Sequence, residues 1–383
     1  MTAEPLSHRA DVLACMSRAL TRKRAGYDAA FERTEAKALG IAVRLSRQAQ
    51  EAPKLLAELL ALPWNARRGV VAVDERFHSA PFASLLLDEA REQADQAEDL
   101  AQLAHFVLDR VDFEEAKPLK VSAYVVVAEV ARRRQDEQTA ESALAAASSQ
   151  LWEWSLSHER AEYCLAVARL RKDQARFDEA FALANRAGEL YEALGEDVAA
   201  AEAFLALGAW SLDLGCRKEA LAAYSSSLCL QGTPTQVLAG VQGLSQALIL
   251  LGEPADALAI VRTVRRERLS KDSYEYLVLG TLEGQMLLQR AVMRAARREL
   301  YGSFHGLLRM GKAEEALHAG LALLLAGAHN AADLARQLTP FVPPRRPDLI
   351  AALAEVIAEG HLPTERRGIV AGYLSSSGAG DGL

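Results

Sequence analysis

Arg290, Arg294 and Arg298 recur every four residues, a spacing that lines three guanidinium groups along one helix face. They belong to a basic zone from Arg262 to Lys312 that opens with Arg262, Arg265, Arg266, Arg268 and Lys271 and holds 11 basic against five acidic residues. The whole chain carries a formal net charge of -7, so this zone is a local face rather than the mark of a protein that coats nucleic acid. Forked guanidinium donors match the oxygens of carboxylates and phosphates. Binding to nucleic acid would weaken steeply with salt. Tyr274, Tyr276, Tyr301 and Phe304 stand beside the basic clusters rather than between them, which favours an acidic protein partner over nucleic acid. A shorter cluster, Arg22, Lys23 and Arg24, reads as a solvated helix face.

Little else in the sequence could do chemistry. There is no Gly-rich phosphate loop, no HExxH, no GxSxG and no nucleophile with a base near it in sequence, so the chain is not expected to be an enzyme or to need a cofactor. Cys15, Cys164, Cys216 and Cys229 stand far apart, without CxxC or metal-type spacing, and are expected to be small buried apolar groups in a reducing compartment. His78 has no second histidine at ligand spacing, so no metal site is expected. No signal-type segment opens the chain and no apolar run approaches the roughly 20 residues of a membrane span, which points to a cytoplasmic protein without membrane contact.

The elements that would position the basic residues are helices. Half the residues are apolar, a quarter are charged, aromatics are sparse and Ala and Leu abound. From Ala161 to Leu230 two units align without a gap when Ala180 is set on Ala220, each reading as helix, tight turn, helix. Tyr163, Val167 and Leu170 mark the apolar stripe of one unit, and Phe204, Leu207 and Trp210 that of the other. Ala143, Ala180, Ala220 and Ala257 follow one another at nearly even intervals, and Gly-x4-Ala recurs at Gly215–Ala220, Gly252–Ala257 and Gly311–Ala316. Such a period is the signature of a solenoid. The interval from Ala257 to Ala316 fits neither one period nor two, which suggests a fused repeat or one lacking its second helix.

Around the repeats the text changes. Residues 1–62 read as an Ala-rich helical segment interrupted at Gly26 and Gly40, and 63–116 as a helical lead-in that starts at the break of Leu62, Pro63 and Trp64. The repeats are expected over 117–338, with Val121 to Arg134 as the first helix. Pro340, Pro343, Pro344 and Pro347 mark a connector to two capping helices within 339–375, and 376–383 should be disordered.

These units resemble tetratricopeptide repeats. The second carries the likeness best, with Leu207, Gly208, Gly215, Ala220 and Tyr224 where that repeat usually has Leu, Gly or Ala, Gly, Ala and an aromatic. The consensus tryptophan and terminal proline are largely missing and the period is longer than usual. More loosely, the layout resembles bacterial tetratricopeptide proteins that sometimes carry an N-terminal DNA-binding domain. The likeness implies an all-α, right-handed solenoid of antiparallel helix pairs whose first helices face a concave groove. It places Arg132, Gln135, Arg169, Lys172, Gln246, Arg298, His305 and Arg309 toward that groove, with Arg262, Arg265, Arg266, Arg290 and Arg294 as a separate basic face. The expected function is a non-catalytic scaffold, adaptor or regulatory subunit that holds a protein or acidic peptide segment. A nucleic-acid-linked transcriptional regulator and a helper or immunity component of a bacterial effector or defence system are the alternatives.

Overall fold

A computed structural model describes residues 39–93, 96–111, 113–151 and 156–377, and among them every regular element is helical. The basic cluster at 22–24, Cys15 and residues 378–383 lie outside the described residues. The chain divides into two compact units between Gln174 and Ala175, inside the stretch expected to form one array.

In the first unit, Gly40 lies at the start of the described part of helix α1 (39–60) and is itself helical. Pro63 follows, and α2 (Trp64–Val73) begins on it. The buried guanidinium of Arg67 reaches back to the carbonyl oxygens of Leu60 at 3.0 Å and Leu62 at 3.1 Å, acceptors left open where α1 ends and where the helix dipole favours a cation. Helix α3 (Ala80–Glu92) opens on Ser79, whose hydroxyl accepts the Phe82 N–H. Helices α4 (Ala97–Leu108), α5 (Phe113–Arg133), α6 (Glu137–Gln150) and α7 (His158–Asp173) complete the unit around Leu59, Phe77, Phe82, Leu86, Leu100 and Leu108. Helix α5 begins well before the expected Val121, because Pro118 removes a single hydrogen bond near its start while Ala116, Val121 and Ala123 are all buried.

The second unit holds α8 (Phe177–Leu194), α9 (Asp197–Asp213), α10 (Arg217–Cys229), α11 (Pro234–Leu251), α12 (Pro254–Arg268), α13 (Tyr274–Gln289), α14 (Met293–Arg309), α15 (Ala313–Leu325) and α16 (Ala331–Leu338). Helices α17 (Pro347–Glu359) and α18 (Arg367–Ser377) follow, at the place where capping helices were expected. Cys164 is buried as foreseen, but Cys216 is only half-buried and Cys229 exposed, since they stand at the two ends of α10.

One turn geometry recurs. Gln135, Ala175, Gly195, Gly215, Gly252, Ala291 and Gly311 all have positive φ, between 58° and 87°. Five residues after each stands an alanine with no exposed surface: Ala140, Ala180, Ala200, Ala220, Ala257, Ala296 and Ala316. At Gln135, Gly195, Gly215, Gly252, Ala291 and Gly311 the next residue donates its N–H five residues back, as in Cys216 to Ser211 O and Val292 to Leu287 O, the closed helix end that a left-handed residue permits. This corrects the repeat ruler at both ends. The equivalent of Ala180 in the preceding unit is Ala140, not Ala143, and after Ala257 the series continues at Ala296, so the spacing stays even throughout. The segment from Ala257 to Ala316 has lost nothing: α13 and α14 form a complete pair, and Gly311–Ala316 is the turn that leads to the next pair.

Glycines on these helices receive large side chains from their neighbours. A Cβ on Gly188 would stand 2.6 Å from the Phe204 ring, and one on Gly208 of α9 would stand 2.9 Å from the Tyr224 ring of α10. Gly243 of α11 meets the same Tyr224 ring from the other side and closer still. Burial, with a smaller contribution from Asp213, pushes the Tyr224 phenol up to about 12. Farther along, His318 of α15 faces Tyr373 of α18 with ring centroids 5.5 Å apart. Burial holds its imidazole below the ordinary 6.5, against the opposing pull of Glu314 and Glu315. His105, against Tyr124, is held low in the same way.

Gly243→Ala is expected to destabilise the fold by about 1–3 kcal/mol, the range for over-packing a closed site, read as an earlier denaturant midpoint; an unchanged midpoint would show that the Tyr224 ring has room to move. Because an unfolded imidazole takes up protons more readily than the depressed His105 and His318, their contribution to stability is intact above 6.5 and is lost as pH falls below it. A His318→Phe variant is expected to show a smaller drop in melting temperature between neutral and mildly acidic pH than the unaltered protein.

Candidate functional site

The cations expected to line a groove in the first unit are held by carboxylates. Arg132 pairs with Glu129 at 3.1 Å and with Asp173 at 2.6 Å, and Arg169 pairs with the same Glu129 at 3.2 Å. The corrected register explains the match, since Glu129 stands as far ahead of Ala140 as Arg169 does of Ala180, and the two therefore meet on adjacent first helices α5 and α7. Arg132 and Arg169 are thus engaged within the fold. Gln135 is not on a helix face at all; it is the left-handed turn residue between α5 and α6. Lys172 is half-buried near the end of α7.

In the second unit the equivalent positions are of another kind. Gln246, Ile249 and Leu250 are exposed on α11, beside half-buried Ala209 and Leu212 on α9 and Gln285 and Leu288 on α13. Helix α11 packs against both α9 and α13, so these residues share one face made of first helices. That face is mainly apolar and amide-bearing, with one carboxylate, the exposed Asp213 of α9, at the place that Leu250 takes on α11.

The basic zone separates into cations that are used internally and cations that are not. Arg265 is 7% exposed and pairs with Glu283 at 2.8 Å and Glu299 at 2.8 Å; it also donates to the Tyr276 carbonyl at 3.0 Å and lies over the Tyr276 ring. Arg262 shares Glu283 at 2.7 Å. The site admits no extra carbon, for a Cβ on Gly280 would stand 2.6 Å from the Arg265 guanidinium. Burial raises the Glu299 carboxyl, but hydrogen bonds from Arg265 and Arg298 outweigh it and leave Glu299 below its usual range. Arg268 caps α10 through the carbonyls of Leu228 and Leu230. Arg266 donates to its own helix at Arg262 O. Arg290 ends α13, before the turn, so it does not share a helix with Arg294 and Arg298 as the four-residue spacing suggests.

Arg294, Arg298 and His305 do come together, on α14, which is the second helix of its pair and not the first. The register error at Ala316 is the reason for the difference. Seventeen residues make α14 roughly 25 Å long, whereas the eight of α16 span roughly 12 Å. The short helix leaves part of α14 uncovered, and a cleft of about 650 Å³ opens between α14, the turn at Ala328 to Asn330 and α16. Arg294, Arg297, Arg298, Tyr301, Phe304 and His305 line one wall, with Leu323, His329, Asp333 and Leu334 opposite. The His305 ring lies 4.3 Å from that of Tyr301 and 4.9 Å from that of Phe304. Arg297 donates to Gly327 O at 3.0 Å and so caps α15. Arg309, the last residue of α14, donates to His305 O and stands outside the cleft. The opposite wall was not legible in the sequence, because only the shortness of α16 brings it opposite α14.

Among the described residues, no group of three or more His, Cys, Asp or Glu is placed to hold a metal ion, and no helix is long and apolar enough to cross a membrane.

Every regular element among the described residues is an α- or 3-10 helix, and from α3 onward helices that follow one another within a unit pack together. No family model and no curated protein matches the chain. Similar solved structures include BtubC (BKLC) from P. vanneervenii, at 20% identity over 60% of this chain and 93% of that one, with a TM-score of 0.42. Others are the Rap conjugation gene regulator of the plasmid pLS20 in complex with the Phr* peptide (13%, 79% and 98%, TM-score 0.37) and the APC/C hetero-tetramer Cut9-Hcn1 (14%, 86% and 67%, TM-score 0.30). The likeness is one of stacked helices alone.

Removing one member of a buried ion pair leaves a charge uncompensated, at a cost of about 3–5 kcal/mol. Glu283→Ala, which strands part of Arg265 and Arg262, is expected to fall at the low end because Glu299 remains, and a thermal melt within error of the unaltered protein would show that the network is not structural.

Proposed function

We propose that this chain is a non-catalytic scaffold or regulatory subunit that holds a segment of a partner protein on the first-helix face of its second unit. The observation that carries the reading is the contrast between equivalent positions: Glu129, Arg132 and Arg169 are locked to one another and to Asp173, whereas Gln246, Ile249 and Leu250 stand exposed. A partner docking on the first set would have to break ion pairs and dehydrate charges. On the second it would cover apolar surface, at roughly 25 cal/mol per Å² in its favour, and satisfy the amides with hydrogen bonds. Consumption of Arg262, Arg265 and Arg268 within the fold weighs against a nucleic-acid-binding regulator.

A photo-cross-linking residue placed at Gln246 in the native host is expected to yield a protein adduct, and the same residue at Lys172 none. Adducts at 172 with silence at 246 would overturn the assignment.

A further inference from the structure

We infer that the cleft between α14 and α16 is a second binding site, one that takes an acidic protein segment bearing a large apolar side chain. Its cations are unequally committed. Arg297 is bound to Gly327 O and serves the end of α15, but Arg294 makes no hydrogen bond or ion pair among the described residues, and Arg298, with 80% of its side chain exposed, touches only Glu299. Arg294 and Arg298 stand four apart on α14 and point the same way along one wall. The one acidic residue in the lining, Asp333, is paired with Arg336, so little within the cleft competes with an incoming carboxylate.

The rest of the lining determines what accompanies that charge. Tyr301 is 59% exposed, and Phe304, Leu323, Ala328 and Leu334 form an apolar floor. A volume of about 650 Å³ lies within the range of pockets that engulf several side chains, far larger than an inorganic anion. A ligand that fills the cleft therefore carries both carboxylates and an apolar group. Single-stranded nucleic acid would need a basic track along successive phosphates. Among the described residues Arg262 and Arg265 are bound to Glu283 and Arg290 stands at the end of another helix, so these three do not extend the cations of the cleft into such a track. An acidic peptide segment with an aromatic or branched aliphatic residue fits the charge, the size and the shape.

Fluorescence anisotropy on the full chain at low salt tests this with three labelled probes: a peptide of Asp and Glu around a single Trp, the same peptide with Asn and Gln in place of the acids, and a short oligothymidylate. The acidic peptide is expected to bind, the amide peptide and the oligothymidylate to bind at least about tenfold more weakly. The double variant Arg294→Ala, Arg298→Ala is expected to weaken the acidic peptide by about tenfold, the loss of one or two charge-assisted contacts at a partly wet site. Arg294 makes no hydrogen bond or ion pair among the described residues, and Arg298 adds only an exposed pair to Glu299, which keeps Arg265, so the melting temperature should change little. Ile249→Glu, which disables the first-helix face, should leave this binding as it was, so the two sites fail separately. No binding of the acidic peptide, equal binding by its amide counterpart or by the double variant, or tighter binding of the oligothymidylate would each overturn the inference.

Discussion

The arrangement of this protein depends on the meeting of a left-handed turn residue and the alanine five positions after it. The left-handed residue closes one helix and reverses the chain, and the alanine then sits where the next helix crosses the last, with no surface left to water. A larger side chain there would force the axes apart. Within each unit a turn fixes the crossing that follows it, so side chains at the same distance from successive alanines arrive on the same face. The contact of Arg169 with Glu129, its counterpart one repeat earlier, is a direct product of that repetition. So is the shared face of Gln246 with Gln285.

Much of this was legible in the sequence, and the errors of repeat register have a single origin. The helices were legible, and so were the Gly-x4-Ala turns at Gly215, Gly252 and Gly311, where glycine supplies the left-handed residue. At Gln135, Ala175 and Ala291 the same conformation is adopted by residues that carry a Cβ, which leaves no sequence mark. Missing Gln135 shifted the ruler from Ala140 to Ala143, and missing Ala291 made a regular pair look defective. The same omission assigned His305 and Arg309 to a first helix, although they stand on α14. Burial of Arg265 was hidden for another reason: its partners Glu283 and Glu299 are 18 and 34 residues away, on α13 and α14.

Charge in the second unit is thus divided between structure and surface. Arg262, Arg265, Arg268 and Arg297 serve carboxylates or helix ends. Arg294 lies in the same dense stretch of sequence but faces the cleft. Composition alone treats these residues as one patch. Only the helix boundaries and the short α16 separate them, which is why a basic run is a poor guide to a binding face in a protein whose helix ends need cations.

Tyr224 gives the stack a property beyond its shape. Its ring lies against Gly208 on one side and Gly243 on the other, so one side chain of α10 is part of the packing of two consecutive pairs. In a linear array each repeat interacts only with its neighbours, and the strength of that interaction decides whether repeats melt singly or together. A ring shared by α9 and α11 links the fate of one pair to that of the next. Such a ring adds to the coupling between neighbouring pairs, and the glycines that admit it act as couplers between repeats rather than as points of flexibility.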